Sequence, residues 1–254
     1  MKRKGLVVAG VLLLGLIIFV YVSRRTGNVR STLDTQSAAL TDLSETLNII
    51  EKGLPGMIGV ADDTRAKLAQ FRGNLEELQG SITSQNFNTV SMAYAHAEKG
   101  VTGSITLMKS AALPLQSYRS ALELLEENHA ALRAIFIENA PRDDGTKARE
   151  KITDDLTRTG QLLDIGERIS EDLGRFVVQQ EKQWLDMHQQ MKNLEDASQG
   201  DAEVKELTHA LVTLLEVEGA ALENARKTQA FCENFPKKLR HEMSIQTGLL
   251  SIAK

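Results

Sequence analysis

The sequence predicts an all-α protein, with one N-terminal transmembrane helix followed by an elongated antiparallel four-helix bundle. Three observations predict it. Ala, Leu, Glu, Gln and Lys are plentiful and there are only 4 prolines, which favours helix over sheet. Residues 5–22 are apolar and carry no charge. Beyond them, apolar residues recur at alternating spacings of four and three, the pattern of helices packed along a seam.

The apolar stretch reads GLVVAGVLLLGLIIFVYV from Gly5 to Val22. As a helix it reaches about 27 Å, enough to cross a thin hydrocarbon core. Tyr21 lies near one end, where an amphipathic ring suits the membrane interface. A cleavable signal peptide would have a shorter apolar region, roughly 7–15 residues, followed by small residues. Val20-Tyr21-Val22-Ser23-Arg24-Arg25 is a poor cleavage site, so the helix is expected to be retained. The chain then divides into a basic tail (1–4), a signal-anchor transmembrane helix (5–23), a juxtamembrane linker (24–30) and a helical-bundle domain (31–254). Glycines 5, 10 and 15 are five apart and do not form the GxxxG face of a membrane-helix dimer.

Sidedness follows from the flanking charges. Lys2, Arg3 and Lys4 balance Arg24, Arg25 and Arg30, and a very short basic tail favours a cytoplasmic N-terminus. The expectation is a single-pass protein of a bacterial or archaeal plasma or inner membrane, with its body outside.

The net charge of −4 hides an asymmetry. All charged residues in 1–25 are basic: Lys2, Arg3, Lys4, Arg24 and Arg25. Without these five, 25 of the 30 basic residues remain against 34 acidic ones, a balance of −9. Such a body repels a phosphate backbone, and 4% aromatics leave few stacking platforms, so nucleic acid is excluded as a partner. The one cysteine, Cys232, can form no internal disulfide and no Cys-rich metal site.

Four helical segments follow the anchor, at roughly 29–83, 86–139, 146–195 and 201–253. Each is about 50 residues and could reach about 75 Å. The first seam runs Val29, Leu33, Gln36, Leu40, Leu43, Leu47, Ile50 and Leu54, then continues in phase from Met57 through Ala61, Thr64, Leu68, Phe71 and Leu75 to Leu78 and Ile82. The second runs from Phe87 through Val90, Tyr94, Ala97, Val101, Ser104, Met108, Ala111, Leu115 and Tyr118 to Leu122, Leu125, His129, Leu132 and Phe136. The third includes Ile152, Leu156, Leu163, Leu173, Val177, Gln180, Trp184, Met187, Met191 and Leu194. The fourth has Val204, Leu207, Leu211 and Leu214, then weaker positions through Ala221, Ala225, Cys232, Phe235 and Leu239.

Turns are expected at Thr83–Asn86, Asn139–Gly145 and Ser198–Asp201. Short turns between long helices imply antiparallel neighbours. Pro55 and Pro114 must each kink or break a helix. Seam phase persists across both, which favours continuous helices. The alternative is two shorter bundles in tandem, with reversals at 53–56 and 112–114.

Two Glu-x-x-His motifs, Glu126…His129 and Glu206…His209, suggest the ligand pairs of di-iron bundles. Expected reversals near 142 and 198 place them about 48 Å apart, so one shared site is excluded. The same reckoning brings His96, His188 and His209 to nearly one level as weak metal candidates. Their phase argues against a site, because His96 and His209 point outward and only His188 flanks the seam. No metal or other cofactor is expected.

His129 lies on the seam, with Gln36 within a turn of its level. The two are expected to form a buried polar layer, which commonly sets register in bundles. Trp184, Met187 and Met191 make an apolar stripe suited to core packing or an adaptable binding surface. Cys232, also on the seam, is expected to be inert, and the charged residues to form solvated outer faces. The sequence holds no phosphate-binding glycine loop, no nucleophile pattern and no His-Glu-x-x-His zinc motif.

The expected function is therefore that of a non-enzymatic, membrane-anchored scaffold acting through protein contacts or self-association. The alternative is a sensory ectodomain with a small ligand between its helices. In layout, over about 225 residues, the body resembles the helical ligand-binding regions of bacterial chemoreceptors and sensor kinases. That resemblance implies such a ligand. Those receptors have a second membrane helix, whereas Gly248–Lys254 is far too short to span, so signalling would need a separate partner. A metal-dependent helical-bundle enzyme is the least favoured reading.

Overall fold

The computed structural model describes residues 2–77, 84–137, 142–197 and 202–252, with most side chains from residue 27 onward. Four helices account for all of them except Ile137, a turn residue: α1 (Lys2–Glu77), α2 (Ser84–Phe136), α3 (Arg142–Ala197) and α4 (Ala202–Ile252). Among the described residues there is no strand, and the fold is an all-α helical bundle. The anchor expected over 5–23 lies outside the residues described with their side chains. Among the described residues no helix is long and apolar enough to cross a membrane.

The helices form because their seams bury. On α1, Leu33, Gln36, Leu40, Leu43 and Leu47 are almost fully buried, and Leu54, Ala61, Thr64, Leu68 and Phe71 carry the stripe onward. On α2 the stripe from Val90 to Leu132 is buried at every expected position, including Ser104 and His129. A side chain of this size gains about 1.5–3 kcal/mol on full burial.

That gain decides the proline question. Pro55, Pro114 and Pro236 all lie inside helices, in α1, α2 and α4. The reversals at 53–56 and 112–114, on which the tandem alternative depended, are thereby overturned. A proline inside a helix costs about 3 kcal/mol. Leu54 and Ala61 flank Pro55, and Ala111 and Leu115 flank Pro114, all on the buried stripe. Keeping those residues in phase outweighs the lost hydrogen bond.

The chain divides into two compact units, each receiving a segment from every helix. Unit 1 comprises Met1–Glu45, Ser120–Leu162 and Lys238–Lys254. Its core joins Val29 and Leu33 of α1 to Leu132 of α2, Ile152 of α3 and Leu249 of α4. Arg133 pairs with Asp34 at 3.1 Å and His129 meets Gln36 at 3.1 Å, so α2 numbering falls as α1 numbering rises. These two helices are antiparallel here. Gln246 Nε2 donates to Leu125 O at 2.7 Å, and Lys151 pairs with Glu127 at 2.9 Å.

Unit 2 comprises Thr46–Arg119 and Leu163–Lys237. Phe71 of α1 stacks on Tyr94 of α2 with ring centroids 6.0 Å apart, while Arg119 of α2 donates to Asn48 of α1 at 2.7 Å. Antiparallel order holds again. Between α3 and α4, Trp184 Nε1 donates to Leu215 O at 2.7 Å and His209 meets Glu195 at 2.9 Å. Tyr118 is fully buried and its hydroxyl donates to Cys232 O at 2.8 Å. Its ring lies against Gly166 of α3, a position with no room for a side chain.

Two local expectations are corrected. The segment Arg142–Gly145, read as part of a turn, belongs to α3. One glycine near a helix start costs only about 1 kcal/mol, which the following turns repay. On α4 the buried positions are Leu215 and Glu218, whereas Leu214 is half-buried. The true stripe follows Val204, Leu211, Glu218, Ala225, Cys232, Leu239 and Gln246, each seven residues from the last.

Candidate functional site

Gln36 and His129, expected as a polar layer, come together in unit 1. Gln36 is 1% exposed, and its Nε2 donates to Glu242 O at 3.1 Å. Its amide oxygen is therefore the group that faces His129 Nδ1, and the imidazole must donate Nδ1–H. His129 Nε2 is left buried without a partner. A second proton there would have nothing to bond, which suits a neutral ring. Burial first, and the Arg133 guanidinium second, push the His129 pKa below its ordinary value, against a smaller opposing pull from Asp34.

The three histidines weighed as metal ligands are not gathered. His96 is exposed on α2. His188 stacks on Trp184 with centroids 5.0 Å apart. His209 is exposed and paired with Glu195. Among the described residues, no group of three or more His, Cys, Asp or Glu side chains could hold a metal. The two Glu-x-x-His motifs fall in different units. Cys232 is fully buried, and its thiol pKa is pushed up to about 12 by burial and by Glu233. That leaves a poor nucleophile.

The most distinctive chemistry lies in unit 2, at a cavity of about 310 Å³. That is near the small end of ligand pockets, which run roughly 300–1,000 Å³. From α2 it is lined by Met92, Ala93, His96, Lys99 and Gly100. From α3 it is lined by Gln180, Trp184, Asp186, Met187 and Met191, and from α4 by Glu218. Helical geometry explains the grouping, since residues three, four and seven apart share a face. Gln180, Trp184, Met187 and Met191 are the seam of α3 as it passes the cavity.

Trp184 is fixed rather than loose. Its Nε1 is bonded to Leu215 O, His188 stacks on its ring, and Gly219 of α4 gives it room. A Cβ at Gly219 would sit 3.0 Å from Trp184 Cε2. Met187 and Met191 are buried beside it and contribute polarizable surface.

Glu218 is the residue the periodicity reading passed over, since charged residues were expected on outer faces. It is 2% exposed and packs against Gly100 of α2. Both carboxylate oxygens are buried without a hydrogen-bond partner. Desolvation pushes its pKa up to about 8, so it is mostly protonated at neutral pH. A signal was present in the sequence. Glu218 is seven residues from both Leu211 and Ala225, in the phase of the buried stripe.

Compared with known protein families and with curated proteins, the chain matches none. The functional reading therefore rests on the site.

Proposed function

We propose that the chain is a membrane-anchored, non-enzymatic helical bundle that binds a small molecule between α2, α3 and α4 and acts on protein partners. The observation that carries the ligand reading is the buried, unpartnered carboxyl of Glu218 in the wall of the cavity. Leaving a buried polar group unsatisfied costs about 1–3 kcal/mol, and such an arrangement commonly marks a binding position. Trp184, Met187 and Met191 provide the apolar remainder of a ligand pocket. Anchoring is supported by the uncharged stretch 5–22, with the tail 1–4 cytoplasmic and the body outside.

A scaffold with no ligand is the second reading. Val178 and Leu185, 66% and 59% exposed, lie seven residues apart on α3 and would present a narrow apolar contact for another protein.

The test is thermal unfolding of the full chain in detergent against a panel of small cations, anions and neutral polar compounds. A ligand of the folded state raises stability, by about 2.7 kcal/mol at a hundredfold excess over Kd. No shift with any compound, together with a stable crosslinked protein complex, would leave the scaffold reading standing alone. Sidedness is tested by Lys254→Cys in a Cys232→Ser background, treated in intact cells with a membrane-impermeant thiol reagent. Labelling only after lysis would overturn the external placement.

A further inference from the structure

We propose that the cavity of unit 2 takes a small organic ammonium compound, with Glu218 as its counter-ion and Trp184, Met187 and Met191 as the wall against its carbon atoms. This rests on the ligand-binding reading above and names the chemical class of the ligand.

Glu218 lacks a partner for either carboxyl oxygen. In the ionised form both oxygens are acceptors only, so the group that completes the site in that form must donate. A charge-assisted bond is roughly twice as strong as a neutral one, and an opposite charge also offsets the cost of ionising a buried carboxyl. An alcohol or amide makes the weaker, neutral bond. A metal ion would need several further ligands, and no cluster of three or more candidate side chains exists among the described residues. An organic cation needs only one carboxylate, because its remaining surface is carbon.

The surrounding side chains fit that carbon. Trp184 is held in place by its bond to Leu215 O, and indole attracts ammonium groups more strongly than other rings. Met187 and Met191 are buried and adaptable in shape. The other charged or titratable groups facing the cavity are His96 and Lys99 from α2 and Asp186 from α3, with His188 stacked behind Trp184. Among the described residues α1 adds none to the lining. Lys99 lines the cavity, yet neither it nor any other side chain is bonded to Glu218. The hydrogen-bonding positions of the carboxyl are therefore unfilled, and an incoming cation reaches them when the Glu218 side chain turns from Gly100 towards the cavity.

Binding has a proton balance. Glu218 enters mostly protonated at neutral pH, so an ammonium ligand that pairs with the carboxylate displaces one proton to solvent. No covalent bond forms or breaks apart from that O–H.

The experiment is calorimetric titration of the full chain in detergent with choline, ethanolamine, propionate and dimethylbutanol, the neutral carbon isostere of choline. Choline or ethanolamine is expected to bind at least about tenfold more tightly than dimethylbutanol. The affinity should rise by about tenfold per pH unit from 6 to 8 and level off above, with one proton released per ligand below that point. Glu218→Gln should lose the preference and the slope, whereas His209→Gln, outside the cavity, should keep both. A slope that persists in Glu218→Gln, or that is lost in His96→Gln, would assign it to another group and overturn the proposal.

Equal binding of choline and dimethylbutanol, or full affinity in Glu218→Gln, would also overturn Glu218 as counter-ion. Binding of propionate alone would overturn the ammonium class while leaving the cavity a ligand site. Binding of none of the four, with no hit in the broader panel, would overturn both readings together. The pH dependence of the unaltered chain needs no variant and stands if Glu218→Gln does not fold.

Discussion

Replacing Glu218 by Gln removes an ionisable group from a dry site while preserving its shape. Burial holds the Glu218 pKa at about 8 in the folded chain, against 4.5 for the ordinary side chain. Over that window the folded state binds more protons than the unfolded one, so stability falls as pH rises from about 4.5 to 8. At pH 7 the wild-type chain forgoes about 3 kcal/mol relative to a neutral group at this position, and above pH 9 about 5 kcal/mol. Below pH 4 both states are protonated and nothing is lost. Glu218→Gln is therefore expected to be more stable than wild type by about 3 kcal/mol at pH 7 and equal to it at pH 4. Urea unfolding of the full chain in detergent, followed by circular dichroism at several pH values, measures the difference. The reasoning fails if the two proteins have the same midpoint at pH 7, or if the variant is weaker there. Either result would mean that the carboxylate already has a partner.

Other expectations are simpler. Gly166→Ala drives a methyl group into the buried ring of Tyr118 and should lower stability by about 1–3 kcal/mol in urea unfolding. Gly160→Ala, six residues earlier on the same helix, meets nothing within 4 Å and should instead raise it by about 0.5–1 kcal/mol. Tyr118→Phe loses the bond to Cys232 O, and because Pro236, four residues on, has no N–H to offer that buried carbonyl, the loss should be about 1–3 kcal/mol. His129 has a depressed pKa, so the unfolded chain takes up a proton that the folded chain resists, and the contribution of His129 to stability should decline as pH falls below about 6.5, opposite in sign to that of Glu218. In a Glu218→Gln background, which removes the opposing slope of Glu218, midpoints measured from pH 7.5 to 5.5 should show that decline, and a smaller one when His129→Leu is added; equal slopes would refute the assignment.

Much of this architecture can be read from spacing. A helix repeats every 3.6 residues and a packed seam every 3.5, so a run such as Val90, Tyr94, Ala97 and Val101 marks both helix and buried face without further information. The same regularity carried the helices through Pro55 and Pro114. The pairing of Gln36 with His129 was legible because each is polar within an otherwise apolar series. Glu218 obeyed the same rule but was hidden by its charge, since a glutamate between Leu211 and Ala225 reads more naturally as solvated. The stripe on α4 was also displaced by one residue, because Leu214 and Leu215 are both apolar and spacing alone does not choose between them.

By itself the sequence determined the class of fold, most of the buried stripe and an N-terminal segment with the composition of a membrane anchor. These depend on composition and on periodicity along one chain. The linker expected at 24–30, by contrast, lies within α1. Only the tertiary structure decided which residues meet across helices. It set Glu218 against Gly100 and beside Trp184, placed the hydroxyl of Tyr118 on Cys232 O, and kept His96, His188 and His209 from forming one cluster. The physical reason is that axial offset and rotation between neighbouring helices come from the summed packing of every side chain on both faces. No single helix carries that information in its own spacing.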